Sequence, residues 1–311
     1  MQSDKILEQD IFPFLPEVWG DAVRSVIAMR GETVNELRLR VGQPICLRYG
    51  LREVAVPMNT VVSARQMEDV MSSLCHHSRY AMESELKNGY VTIRGGHRIG
   101  MAGQAVVAEG TVKQIGQIHS LSIRVARASV GCAEKVFPYI WERDRVRSTL
   151  IAAPPYCGKT TILRDLIRLV SDGDDRCGRQ GLTVGVADER SEITGAYQGI
   201  PTLAVGARTD VIVGAPKAEA VMMLLRAMSP AVVAMDELGG ADDVAAAECA
   251  AYMGAAVIAT IHARSQRDIM RRMNKTRSKM FDLFESVVFL DNRPTMGTIR
   301  CVMNREDEEG G

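Results

Sequence analysis

The chain has no net charge, no cysteine pattern, no long apolar run and no export signal. Its 38 Lys and Arg residues cancel its 38 Asp and Glu residues. No global field therefore draws it to nucleic acid or to an anionic membrane, and any such contact needs a local patch. Seven cysteines, an odd number without C-x-x-C spacing, argue against a disulfide framework and a structural zinc, and fit a reducing cytosol. The start, "MQSDKILEQDIFPFLPEVW", carries acidic residues and prolines where a signal peptide needs a basic start and an apolar core. The most apolar long stretch, 244–261, is broken by Glu248 and rich in Ala and Gly, short of the roughly 20 apolar residues of a membrane span. Internal repeats and low-complexity segments are absent too.

What is present suits an ordinary globular protein. Of its 311 residues, 46% are hydrophobic and 24% charged, enough apolar side chain for real cores and enough length for two domains. From Ile151 onward, "STLIAA", "LTVGVAD", "AVVAMD", "AAVIATI", "SVVFL" and "TIRCVM" read as strands. Among the first four lie "KTTILRDLIRLV", "KAEAVMMLLRAM" and "DDVAAAECAAYM", with apolar residues at helical spacing. Buried runs alternating with helices predict an α/β domain with a mainly parallel sheet covered on both faces. The first part instead shows strand alternation and glycine turns around one helical stretch, "SARQMEDVMSSLC", and predicts a smaller α+β domain. The expected organisation is an α+β domain at 1–127, a connector at 128–147, the α/β domain at 148–303 and an acidic tail at 304–311.

The chemistry gathers at "IAAPPYCGKTTILRD", which runs from Ile151 to Asp165. A G-x-x-x-x-G-K-[ST] loop between a strand and a helix turns backbone N–H groups toward phosphates, its lysine neutralises them, and its hydroxyl meets magnesium. Gly158, Lys159 and Thr160 match this pattern, and the helix that follows adds its N-terminal field. The segment Ala153, Pro154, Pro155, Tyr156, Cys157, Gly158, Lys159, Thr160 and Thr161 is therefore the expected phosphate cradle. It departs from the pattern at Ala153 and Tyr156. A positive φ at either costs about 1–2 kcal/mol and could weaken nucleotide binding roughly tenfold; alternatively Tyr156 covers the nucleotide.

Three other predicted strands also end in polar residues, on what should be one rim, where open α/β sheets place their ligands. "AVVAMDELGG" delivers Asp236 for the magnesium shell and Glu237 to polarise a water. "VGVADERSEI" delivers Asp188, Glu189, Arg190 and Glu192, and "AAVIATIHARS" delivers Thr260 and His262. "NKTR" at 274–277 departs from the guanine signature N-K-x-D at Arg277, which makes ATP the default nucleotide.

The ordered runs "VADERSEITGAYQGIP", "GARTDVIVGAPKAEAVMMLLRAMSPAVVAMDELGG" and "GAAVIATIHA" resemble the stage III sporulation protein AA family. Upstream, "NELRLRVGQPICLR" and "GGHRIGMAGQAVV" resemble its N-terminal domain, so the likeness spans most of 30–300. That family is similar to the RecA-like, AAA+-type ring ATPases of type II and type IV secretion. The resemblance implies a hexameric P-loop ATPase using ATP and Mg2+. It would sit in the cytoplasm at the face of the mother-cell membrane around the forespore, energising a channel built with small membrane proteins. It also implies phosphate and magnesium contacts for Lys159 and Thr160, the metal-shell acid Asp236, the catalytic Glu237, an acidic box at Glu189 and a γ-phosphate-sensing His262. Arg190 and Arg208 are candidates for charge compensation, in cis or from a neighbouring subunit. The family usually writes its loop G-P-P-G-C-G-K-T-T, so A-P-P-Y-C-G-K-T-T bears on turnover more than on fold.

Weaker signals have plainer readings. Arg38 and Arg40 of "LRLR", and Arg94, His97 and Arg98 of "RGGHR", either reach a nucleotide across a subunit interface or form a solvated strand face and turn. "CHH" at 75–77 offers no metal site, because adjacent helical residues diverge and no partner cluster is visible. Two other functions compete with the motor: a weakly hydrolysing nucleotide-dependent scaffold, and a nucleic-acid translocase, which the zero net charge disfavours.

Overall fold

The computed structural model describes residues 4–50, 52–57, 60–75, 89–108, 110–127, 129–143, 145–174, 178–273 and 282–305. The histidines of "CHH", the "NKTR" segment and most of the acidic tail lie outside the described residues. The chain divides into two compact units, 1–127 with 195–202, and 128–194 with 203–311.

In the first unit, helix α1 (Glu17–Arg30) follows Pro16 and closes on Gly31 at φ 63, the left-handed turn that glycine adopts without strain. Its Trp19, Val23 and Val26 face inward at helical spacing. Helix α2 (Ala64–Cys75) buries Met67, Val70 and Leu74 in the same core. The sheet is antiparallel, in the order β3–β2–β1–β6–β5–β4, with β1 Glu36–Arg40, β2 Cys46–Tyr49, β3 Arg52–Ala55, β4 Tyr90–Ile93, β5 His97–Ala108 and β6 Thr111–Arg124. Period-two alternation puts Leu37 and Leu39 of β1 in the core and Glu36, Arg38 and Arg40 on the other face.

Local partners hold several of the basic residues singled out in this unit. Arg38 bonds Glu36 at 2.6 Å and Arg40 bonds Glu53 at 3.1 Å. Burial pushes the Glu36 carboxyl upward, but the Ser122 hydroxyl, the Arg38 guanidinium and the charge of Arg124 outweigh it and leave the pKa lowered. His97 is buried, accepts the Ala126 amide at Nδ1 over 2.9 Å and faces Asp10 at 3.3 Å. Its burial lowers its pKa against the pull of Asp10, and with Nδ1 accepting an amide it packs as a core side chain. Arg98 stacks on the Tyr90 ring, 3.7 Å from its centroid.

The second unit carries a sheet in the order β13–β12–β14–β15–β9–β16–β17. Its strands are β9 Thr149–Ala153, β12 Val184–Asp188, β13 Thr209–Val213, β14 Val232–Met235, β15 Ala256–His262, β16 Ser286–Asp291 and β17 Thr298–Asn304; β7 with β8 and β10 with β11 are two-residue ribbons at 141–146 and 173–180. All neighbours pair in parallel except β17, which returns antiparallel along β16. Both faces are covered: Leu150 and Ala152 of β9 join one apolar cluster, Ile151 and Ala153 the other. Helices α5 (Lys217–Ala227) and α6 (Ala241–Tyr252) pack on the first face, and α4 (Lys159–Asp172) on the second. This doubly covered parallel sheet is why the strands read as unbroken apolar runs.

Three features go beyond the sequence reading and have local causes. Residues expected to form a connector supply Ala133, Val136 and Val146, with Phe137 and Ile140 of the short helix α3 (Phe137–Ile140), to the α4-side core. Strand β13 is a half-buried edge whose Thr209 and Asp210 hide it from a search for apolar runs. Helix α7 (Gln266–Met273) starts after Ser265, whose hydroxyl accepts the Asp268 amide while the Asp268 carboxylate accepts the Arg264 amide.

Candidate nucleotide site

The parallel strands end together. His262 lies in register with Ala153, Ala259 with Met235, and Met235 with Ala187. The polar residues after β9, β12, β14 and β15 therefore share one rim, where the sequence reading expected them.

The loop after β9 divides its two unusual residues between different roles. Ala153 ends the strand, fully buried and outside the left-handed region. Tyr156 has φ 62 with its side chain 92% exposed. Gly158 has φ 80, and a Cβ there would come within 3.0 Å of Met296 Cγ, so backbone and space both call for glycine. Cys157 is buried among the apolar residues of the α4 side, and burial raises its thiol pKa, which makes it a packing residue.

Lys159 opens α4 and is buried. Its Nζ donates to the carbonyls of Ala153 (3.2 Å) and Pro154 (3.1 Å) and to His262 Nδ1 (2.9 Å). Burial lowers the lysine pKa, opposed by the charge of Asp236. Because an ammonium only donates, His262 Nδ1 must be an acceptor, which puts the ring proton on Nε2. That nitrogen faces Glu237 Oε1 at 3.5 Å. A single line of polar groups thus runs from Lys159 through His262 to Glu237.

A second line joins Thr160 to β14 and β15. The Thr160 hydroxyl donates to Asp236 Oδ2 at 2.6 Å, and the Thr260 hydroxyl donates to Asp236 Oδ1. Thr260 also accepts the Glu237 amide at 2.9 Å. Glu237 itself stands at φ 51, a left-handed backbone that costs a non-glycine residue energy and places its carboxylate beside His262. Thr161 borders the same cleft.

A hydroxyl and a carboxylate in hydrogen-bond contact are a hard-oxygen pair of the kind that meets magnesium alongside phosphate oxygens. Among the described residues no group of three or more His, Cys, Asp or Glu could hold a metal on its own. Thr160 and Asp236 fit a magnesium that arrives with phosphate oxygens, since these two oxygens alone would leave most of its coordination to other ligands.

The acidic residues after β12 separate into two kinds. Asp188 is buried and accepts the amides of Glu192 (2.9 Å), Ile193 (3.2 Å) and Thr194 (2.8 Å) and the Thr194 hydroxyl (2.6 Å), so it shapes the turn. Glu189 is half-exposed and, with Arg190, lines a cleft that also includes Asp236 and Glu237. Arg208 is not brought to this rim. It sits before β13, where its guanidinium donates to the carbonyls of Ser171 (3.0 Å) and Asp172 (3.5 Å) at the far end of α4. With 14 residues in α4, at about 1.5 Å each, that end lies roughly 20 Å from the phosphate loop.

Two residues the sequence reading did not single out hold the site together. Arg164, one turn into α4, donates to the carbonyls of Glu192 (2.6 Å) and Ile193, and burial lowers its pKa. It ties the phosphate helix to the acidic turn. Lys217, the first residue of α5, reaches the carbonyls of Asp236 (3.2 Å) and Glu237 (2.6 Å). Neither carries a spacing signal, because each acts on a backbone distant in sequence.

Residues 18–309 match the profile of the family described as "Sporulation stage III, protein AA". The chain is 37% identical over 297 residues to the stage III sporulation protein AA of Bacillus subtilis (strain 168), covering 96% of this chain and 95% of that one. Among solved structures it resembles the pilus retraction motor PilT with bound ADP, at TM-score 0.59 and 16% identity, over 92% of this chain and 80% of that one. It also resembles the ATPase DotB of Legionella pneumophila, at TM-score 0.58 and 15% identity, over 88% of this chain and 76% of that one. These structures show the fold alone, a RecA-like α/β domain following a smaller α+β domain.

Proposed function

Because this chain belongs to the sporulation stage III protein AA family, we propose that it is a Mg2+-dependent ATP hydrolase. It works as a homo-hexameric motor at the cytoplasmic face of the mother-cell membrane around the forespore. There it energises a channel assembled with small membrane proteins. Among the described residues no helix is long and apolar enough to cross a membrane, so those partners supply its attachment.

The observation that carries the hydrolase reading is the pair of connected lines at the strand rim, Lys159–His262–Glu237 and Thr160–Asp236–Thr260. In this reading Lys159 exchanges its two carbonyl partners and His262 for phosphate oxygens. Glu237 then orients and polarises a water, while His262, its Nδ1 freed from the lysine, reports the phosphate to Glu237. Thr160 and Asp236 would hold magnesium, which would supply charge neutralisation to the phosphates when bound. Arg190, on the cleft beside Glu237, is the nearer candidate for transition-state charge; Arg208 serves this role only from a neighbouring subunit.

The test is ATP turnover by the purified chain with and without Mg2+. Turnover should be lost in Glu237→Gln and Lys159→Ala, with nucleotide binding kept in the former. Wild-type turnover no faster than Lys159→Ala would leave the second reading, a nucleotide-dependent scaffold, which Tyr156 in a glycine-type backbone conformation favours.

A further inference from the structure

Lys217 stands out among the charged groups near the rim because it meets three separate elements and does not border the phosphate cleft. Its Nζ donates to the carbonyls of Asp236 and Glu237, lies 3.3 Å from Asp243 at the start of α6, and lies 3.9 Å from Glu189 after β12. Its side chain is only 14% exposed. The two carbonyls are the ones that matter. The Asp236 carbonyl belongs to the peptide plane before Glu237, and the Glu237 carbonyl to the plane after it. One ammonium therefore fixes both planes about the Glu237 Cα, and with them its left-handed backbone at φ 51.

We propose that Lys217 is a positioning residue for the reaction, a clamp that holds Glu237 in its left-handed conformation so that its carboxylate points along the His262 side of the site. The inference rests on the hydrolase reading. Three contacts define the pose of Glu237: Thr260 takes its amide, Lys217 takes the carbonyls on either side, and His262 faces its carboxylate. Without the lysine, Glu237 keeps the Thr260 bonds to its own amide and to that of Leu238 but loses the hold on both flanking carbonyls, and extended rotations about φ become more accessible. A carboxylate displaced by even 1 Å orients its water poorly, and misplacement on that scale can cost about a hundredfold in rate. Nucleotide affinity should hardly change, because Lys159, Gly158 and Thr160 are held by other partners.

Asp243 is the counter-anchor. Its Oδ2 also accepts the amides of Gly239 (2.9 Å) and Gly240 (3.4 Å), which caps α6. The lysine is thereby held between the loop it orients and the helix that follows that loop. A cation is needed because the partners are two carbonyls and two carboxylates, all acceptors.

The experiment compares full-length wild type, Lys217→Met, Lys217→Arg and Glu237→Gln for kcat, KM for ATP, binding of a fluorescent ADP with Mg2+, and thermal unfolding. Lys217→Met is expected to lose roughly ten- to hundredfold in kcat, as removal of charge-assisted bonds should, with ADP affinity within about threefold of wild type. Lys217→Arg, which keeps the donors, should recover most of that loss. An active wild type with Lys217→Met within about twofold in kcat overturns the clamp alone. Loss of ADP affinity as large as the loss of kcat also overturns it, by making the lysine a general prop. Wild type no faster than Lys159→Ala overturns the hydrolase reading and this inference with it. Should Lys217→Met not fold, Asp243→Asn decides: it keeps an acceptor for the cap but removes the charge. An approximately fivefold lower kcat at unchanged ADP affinity supports the clamp, and an unchanged kcat refutes it.

Discussion

Restoring the two missing glycines of the phosphate loop one at a time should move stability in opposite directions. Tyr156 holds φ 62 in the folded chain, at a cost of about 1–2 kcal/mol relative to glycine. Its side chain is 92% exposed, so Tyr156→Gly removes almost no buried surface. The added freedom of glycine in the unfolded chain takes back about 0.5–1 kcal/mol. Tyr156→Gly is therefore expected to stabilise by about 0.5–1 kcal/mol. Ala153 is fully buried at the end of β9 and needs no positive φ. Ala153→Gly loses a buried methyl, about 0.8 kcal/mol, and adds the same backbone freedom, for a net loss of about 1–2 kcal/mol. For a chain of this size the expected changes in melting temperature are on the order of 1–2 °C up and 2–4 °C down. Differential scanning calorimetry on the two single variants measures both. A lower melting temperature in Tyr156→Gly, or a higher one in Ala153→Gly, would refute the reasoning. Because the strain enters the folding free energy, Tyr156→Gly should leave KM for ATP within about threefold; a tenfold change would mean that the tyrosine itself touches the nucleotide.

Arg208→Ala should lower the melting temperature, by about 1–2 kcal/mol for the lost carbonyl bonds at the end of α4, and leave kcat per folded monomer unchanged at concentrations that keep the chain monomeric. A loss of turnover confined to the assembled form would instead place it at a neighbour's site. Thr160→Val should abolish Mg2+-stimulated turnover, and Thr160→Ser should retain it, since the Asp236 contact needs only the hydroxyl; a Mg2+ titration of ATP hydrolysis distinguishes them. Glu36→Gln should destabilise the chain by about 1–2 kcal/mol near pH 7, because it removes the charge of a buried carboxylate paired with the partly exposed Arg38. The folded pKa of Glu36 is lowered, so this contribution is full above the unfolded value of about 4.3 and is lost as pH falls through the folded value. Urea denaturation of both proteins from pH 7 down to about 3 should show the gap closing.

The parts of this molecule legible in its sequence are those written along one element. A strand, a phosphate loop and a helix succeed one another from Thr149 to Asp172, so the loop could be placed from its own residues. Asp236, Glu237 and His262 were legible because parallel strands end on a common rim, which makes the residue after each apolar run informative wherever it lies in the chain. Asp188 was read within an acidic cluster but turns out to bind its own loop's amides, a role that depends on the backbone path from 188 to 194 and leaves no trace in composition. Arg208 fell in a run shared with the family and was given chemistry by association, yet it caps the helix end opposite the phosphate loop.

Lys217 and Arg164 went unnoticed for the converse reason. Each grips carbonyl oxygens, and a carbonyl is the same at every residue, so no side-chain motif can announce it. What decides such contacts is which helix start or helix turn the sheet order brings beside a given strand end. Here β12 and β14 are neighbours, and the chain passes between them through β13 and α5, which delivers the first residue of α5 to the strand end that carries Glu237. The position of that lysine is thus a property of the crossover rather than of its neighbours in "GAPKAEA". In other chains with the same strand order, a donor at the start of the helix preceding the acid-bearing strand is the place to look for a comparable clamp.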